Sequence, residues 1–157
     1  MVQIHIAGDA DTRKKDQPPP PAGYGAVAVA DRHAVFKMAG GISTRTPNVK
    51  TTTQNLADLA AFTRALQWAV QHGAARGKPV CIRYNSEYAA RICTGMWKAK
   101  KHKAMAEEAR RAWAQLKHTS GGRAWMRHVP RTEAVYIRAC QLAKAGKGGT
   151  HIYAEVV

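Results

Sequence analysis

The chain has 157 residues, 45% hydrophobic and 22% charged, which suits one ordinary domain with its own core and argues against a disordered chain. Its 25 Lys and Arg against 10 Asp and Glu leave a net charge of +15, pointing to a polyanion, nucleic acid before anionic membrane. No run approaches the roughly 20 apolar residues of a membrane span, so no membrane partner is expected. The N-terminus has no basic leader followed by a long apolar stretch. Cys81, Cys93 and Cys140 form neither a disulfide framework nor a CxxC zinc spacing, which fits a reducing, intracellular compartment.

Val2 to Ile6 alternates apolar and polar residues and predicts a strand. Gly8-Asp9-Ala10-Asp11 leads into a polar loop ending in four prolines, Pro18 to Pro21, which cannot continue a sheet. Strands follow at Gly23–Val29 and His33–Met38, turning at Asp31-Arg32, so the first three form a meander. From Gln54 the spacing becomes helical, with Leu59, Phe62, Leu66, Ala69 and Val70 on one side and Gly73 as the expected stop. Pro79 to Tyr84 is a fourth strand, and Ser86 caps the next helix with Glu87 in its first turn. Helix continues, with a break at Gly95, through Trp97, Met105, Ala109, Trp113 and Leu116 to Gly121-Gly122. Ala124 to Val129 is a fifth strand and Glu133 to Ala145 a last helix. The domain is expected over residues 1–147, with 148–157 a tail that either adds an edge strand or binds a partner.

This order, with particular residues at its joints, resembles the ribonuclease H family over roughly residues 2–146. Asp9 stands near the end of the first strand and Gly23-Tyr24-Gly25 opens the second. Thr53-Gln54-Asn55 precedes Asp58 at the start of the helix, and Asn85-Ser86-Glu87-Tyr88 follows the fourth strand. Trp125 to Val129 matches the fifth strand, and Ala139-Cys140-Gln141-Leu142-Ala143 matches the last helix. The resemblance implies an α/β fold with a five-stranded mixed sheet, three antiparallel strands and then two parallel ones, flanked by helices. It also implies that Asp9, Asp58, Asn85 and Cys140 gather at one end of that sheet.

In the family, four carboxylates at these places hold two magnesium ions that activate water. Here the resemblance leaves acids only at Asp9 and Asp58, with a neutral amide at Asn85 and a soft thiol at Cys140, a poor set for a hard cation. A two-residue shift of the first strand would put Ala7 in the first place and remove Asp9 as well. No cofactor or metal is therefore expected; if activity is retained, magnesium is the cofactor and Asp9 and Asp58 its ligands. Asp11, Glu87 and Glu133 are the acids that could compensate, although each also reads as an ordinary loop or helix-start charge.

Two basic clusters stand out: Lys98, Lys100, Lys101 and Lys103 at a helix start, followed by Arg110 and Arg111, and a second cluster with Arg127 and Arg131. Both are expected to meet phosphate. By the resemblance, Thr53, Gln54, Asn55 and Ser86 face the backbone and the 2′-hydroxyls that mark RNA. Trp68, Trp97, Trp113 and Trp125 read as core, and His5 as a half-buried histidine with a partner.

The first reading is a basic, catalytically inactive RNA-binding protein of this family. It would sit on structured RNA beside other proteins of a ribonucleoprotein particle, with an organellar ribosome (mitochondrial or other) as the specific guess and cytoplasm or nucleus otherwise. The alternatives are a ribonuclease H with a weakened two-metal site, cutting the RNA of RNA–DNA hybrids, and an inactive spacer domain of a retroelement polyprotein.

Overall fold

The computed structural model describes residues 1–47, 49–72 and 75–156. Its elements run β1 (Val2–Ala10), β2 (Ala22–Ala30), β3 (His33–Ile42), α1 (Gln54–Gln71), β4 (Val80–Tyr84), α2 (Glu87–Thr94), α3 (Lys103–Thr119), β5 (Ala124–His128), α4 (Ala134–Lys147) and β6 (Ile152–Val156). The strands form one mixed sheet in the order β5-β4-β1-β2-β3-β6. β1, β2 and β3 are antiparallel neighbours, and β4 and β5 run parallel to β1. The tail supplies β6, antiparallel to β3, so the expected five strands gain an edge strand.

The alternation of β1 sorts its side chains between two layers. Val2, Ile4 and Ile6 face α1, with Val80 and Ile82 beside them, and meet Leu56, Leu59, Phe62 and Leu66 in the main core. α1 starts where Thr53 Oγ1 accepts a hydrogen bond from Leu56 N at 3.1 Å. It ends at Gln71; Gly73, the expected stop, lies outside the described residues. α2 and α3 pack outside α1, with Met105, Ala109, Ala112 and Leu116 buried.

His5, Ala7 and Asp9 face the other layer, where α4 lies across β1, β2 and β3. Small residues allow its close approach. A methyl on Gly25 would run against the backbone of Ala139 and Ala143, and one on Gly8, on the opposite face, against the backbone of Ala57 and Asp58. The Gly-Tyr-Gly pattern is thus a packing requirement: Tyr24 fills the α1 side while Gly23 and Gly25 let α4 settle. Gly25→Ala should cost about 2–3 kcal/mol, because backbone rather than a flexible side chain must move. Equilibrium denaturation measures this, and a cost within about 0.5 kcal/mol would contradict the packing.

Two expectations need correction. The helix does not continue through Trp97: α2 stops at Thr94, with Gly95 in the left-handed region at φ 83°, and an irregular segment carries residues 96–102. Lys98, Lys100 and Lys101 therefore lie on this segment, and only Lys103 opens α3. Nor are all four tryptophans core. Trp68 is buried and Trp113 packs at the core margin, but Trp97 is 46% and Trp125 49% exposed.

Candidate nucleic-acid interface

Beyond the ends of β1 and β4, between the N-terminus of α1 and the face of α4, lies an open cavity of about 900 Å³. Asp9, Asp58, Asn85 and Cys140 all line it, with Gln54, Ser86 and Arg131. Its other wall is a stripe of α4, in which Tyr136, Cys140, Lys144 and Lys147 recur at helical spacing. Lys144 and Lys147 were not anticipated, although stepping four and seven residues from Cys140 finds both.

Asp58 is the best-held acid. Its Oδ1 accepts from Gly8 N at 3.2 Å and from Gln54 Nε2 at 3.1 Å, and the Ser86 hydroxyl also bonds to it. Burial nevertheless dominates and raises its pKa to about 6. Gln54 is fully occupied as a brace, since it also donates to Gly8 O at 2.8 Å and accepts from Ala10 N at 3.1 Å. Asn55, one residue on, is exposed.

Asp9 is tied to a lysine. Lys147 Nζ lies 3.0 Å from its carboxylate and 2.9 Å from that of Asp11. The strand register also separates Asp9 from Asn85. The β1–β4 pairing ends at His5 and Arg83, and counting two residues on in each strand puts Ala7, not Asp9, opposite Asn85 just beyond the end of β4. Ala7 shares a small pocket with Asp58, Asn85 and Tyr136.

Asn85 donates from Nδ2 to Val129 O at 2.9 Å, and its Oδ1 faces Arg131 Nε at 3.4 Å. Burial pushes the Cys140 thiol above its ordinary pKa, so it sits there as a neutral SH beside Tyr136. The other candidate acids are engaged elsewhere. Glu87 pairs with Arg91 at 3.3 Å; Glu133 caps α4 through Tyr136 N at 2.6 Å and lies 3.2 Å from buried His5.

This donor set does not fit two divalent cations. The cavity offers two carboxylates, one held by an ammonium, against the cationic side chains of Arg131, Lys144 and Lys147. Among the described residues, no group of three or more His, Cys, Asp or Glu could hold a metal ion. The lining is net positive even with both acids ionised, a balance suited to an anion.

The expected nucleic-acid contacts divide by geometry. Thr53 Oγ1 lies 3.2 Å from His102 Nε2, joining the basic segment to the start of α1. Lys98, Lys100, Lys101 and Lys103 are exposed there, and Arg127 and Arg131 are exposed on and after β5. Arg110 instead braces the fold, donating to Ile92 O and Trp97 O, each at 3.0 Å. Arg111 pairs with Glu107 at 3.4 Å and lines a separate cleft on α3 with Glu107 and Glu108, away from the cavity.

Solved structures show the same architecture. LC11-RNase H1, isolated from compost by a metagenomic approach and solved with an RNA/DNA hybrid, is 25% identical, with 94% of this chain and 97% of that chain covered and a TM-score of 0.69. RNase H1 from the halophilic archaeon Halobacterium salinarum is 24% identical over 95% of this chain and 98% of that one, with a TM-score of 0.63. The N-terminal RNase H domain of a Mycobacterium tuberculosis protein is 23% identical over 94% and 93%, with a TM-score of 0.67. No protein-family model and no curated protein matches the sequence. Strand order, the placing of α4 across the glycines of β2, and these near full-length superpositions agree: the chain has the fold of the ribonuclease H-like family.

Proposed function

We propose that this protein binds an RNA-containing duplex, an RNA–DNA hybrid or structured RNA, and holds it without hydrolysing it. The observation that carries this reading is the charge of the cavity. The cavity keeps only two of the acids a hydrolase of this fold needs to collect metal ions, and sets Arg131, Lys144 and Lys147 beside them. Such a lining attracts phosphate directly and repels magnesium. The exposed lysines of residues 98–103 extend the positive surface beside Thr53 and Asn55, and LC11-RNase H1, which shares the fold, has been solved with an RNA/DNA hybrid. A structured RNA within a ribonucleoprotein particle is the setting that best suits a small, strongly basic chain of this kind.

Salt-dependent binding tests the reading. Affinity for a hybrid or RNA duplex should fall steeply with salt, with a slope of about −0.7 to −0.9 per neutralised phosphate, and no RNA should be cleaved with magnesium or manganese. Replacing Lys100, Lys101 and Lys103 with Gln should flatten the slope by about one for each lysine that met a phosphate. Asp9→Asn together with Asp58→Asn should leave binding intact or tighten it, because it removes two charges that repel phosphate. Affinity that needs magnesium and is lost with these acids would show a metal bridging protein and phosphate, and would sink the proposal.

A further inference from the structure

α4 packs across β1, β2 and β3 and leaves the same face of β4 and β5 without a covering helix. The parallel register sets Cys81 level with Trp125 and Arg83 level with Arg127, and His5 continues the second row into β1. Paired residues in parallel strands point to one side, so Trp125, Arg127 and the half-buried Arg83 share the uncovered face, with Cys81 buried among them and His5 at its margin under α4. Both Arg83 and Arg127 act on the Cys81 thiol, as neighbours on that face must.

Three features make the patch unusual for a sheet surface. Trp125 presents an indole 49% exposed, and no aromatic ring stacks on it among the described residues, whereas the exposed Trp97 has the Arg91 guanidinium 5.4 Å from its ring. Arg83 Nε is sealed from solvent without a hydrogen-bond partner. Glu133, the acid whose charge reaches Arg83, is turned to His5 and to the N-terminus of α4. The guanidinium charge of the patch is thus left largely uncompensated. Trp125 and Arg127 on β5, and Arg131 in the turn beyond it, lead from this face to the cavity rim.

We propose that the open β4–β5 face binds single-stranded nucleic acid, with a base stacked on Trp125 and the adjoining phosphates on Arg127 and Arg83. The flat aromatic surface accepts any base, and flanking guanidinium groups track the backbone. A paired duplex keeps its base faces stacked internally, so only unpaired nucleotides can use the indole. Taking this strand as the continuation of a duplex held at the cavity rests on the function proposed above; the contact at Trp125 can be tested without it.

The experiment compares three fluorescent probes at low salt: a blunt hybrid, the same hybrid with an unpaired extension, and the extension alone as a single strand. For the unmodified protein, the extension should raise hybrid affinity about tenfold, and the free single strand should quench tryptophan fluorescence. Trp125→Ala should abolish the gain and most of the quench, Trp125→Phe should keep most of the gain, and neither should change binding of the blunt hybrid. If blunt hybrid binds but the extension adds nothing, or if Trp125→Ala leaves the gain intact, this inference falls and the cavity reading survives. If the single strand quenches Trp125 but no hybrid binds, the cavity reading falls and this one stands. A chain that sediments as a dimer, and as a monomer only after Trp125→Ala, would assign the face to self-association and overturn the inference.

Discussion

Replacing Asp58 with Asn should stabilise the protein above about pH 6 and leave its stability unchanged below about pH 4. Burial raises the Asp58 pKa from the ordinary 3.8 to about 6, despite hydrogen bonds from Gln54, Gly8 and Ser86 and the more distant charge of Arg131. The folded chain therefore holds a proton in this window that the unfolded chain has released. Because the native state binds more protons, stability must fall as pH rises from about 4 to about 6, and the loss is complete once the native carboxyl has ionised. At about 1.4 kcal/mol for each tenfold change, the penalty is at most about 3 kcal/mol. An asparagine keeps an oxygen for Gly8 N and Gln54 Nε2 but carries no charge to desolvate. Urea denaturation of both proteins at several pH values gives the test. His5, whose pKa burial lowers, is common to both proteins and drops out of the difference. Difference curves that stay flat from pH 4 to pH 7 would contradict an ionised, buried Asp58.

The order of the fold was legible because its signals are local. Alternation in Val2 to Ile6, helical spacing from Leu59 to Val70, and Ser86 followed by Glu87 each determine one element, and those elements lie where the pattern puts them. The Gly-Tyr-Gly pattern carried the joint between β2 and α4. One failure was a local signal given too little weight, and the other came where tertiary contact decided. Trp97 continues an apolar helical spacing, but the left-handed Gly95 ends the helix first and leaves the indole on a loop against Arg91. Trp125 sits in a strand with apolar neighbours, yet α4 is aligned with β1 to β3 and leaves its face bare. No periodicity within β5 records which side of the sheet another element will cover.

The site was legible in its membership and not in its pairing. Asp9, Asp58, Asn85 and Cys140 do line one cavity, but sequence spacing cannot distinguish an acid aimed into it from one neutralised by a lysine more than a hundred residues away, as Asp9 is by Lys147. Nor could it choose between Ala7 and Asp9 opposite Asn85. Two residues in a strand keep the same face, so both choices satisfy the alternation, and only the pairing of β1 with β4 separates them.

That register leads to the second large expected effect. The combined substitution Ala7→Asp, Asn85→Asp and Cys140→Asp should bind divalent cations far more tightly than the unmodified chain, whereas Asn85→Asp with Cys140→Asp alone should gain much less. Ala7 and Asn85 each lie two residues past the last β1–β4 pair and share a pocket with Asp58, while the carboxylate of Asp9 is directed at Lys147. Three new acids beside Asp58 would bring four carboxylates together, the kind of hard oxygen set magnesium requires. Without metal their mutual repulsion, and the crowding of Ala7 against Ala139 and Ala143, should lower the melting temperature. Added magnesium should restore it in the triple variant but not in the unmodified protein, because a ligand that binds only the folded state stabilises it by mass action. Cleavage of a labelled RNA–DNA hybrid should then appear in the triple variant before it appears in the double. Lys147→Met in the same background should strengthen metal binding further, since it removes an ammonium from the cavity and frees Asp9. Equal metal stabilisation of the double and triple variants would show that Asp9, not Ala7, occupies the first acid's place, with the ion pair to Lys147 yielding to the metal.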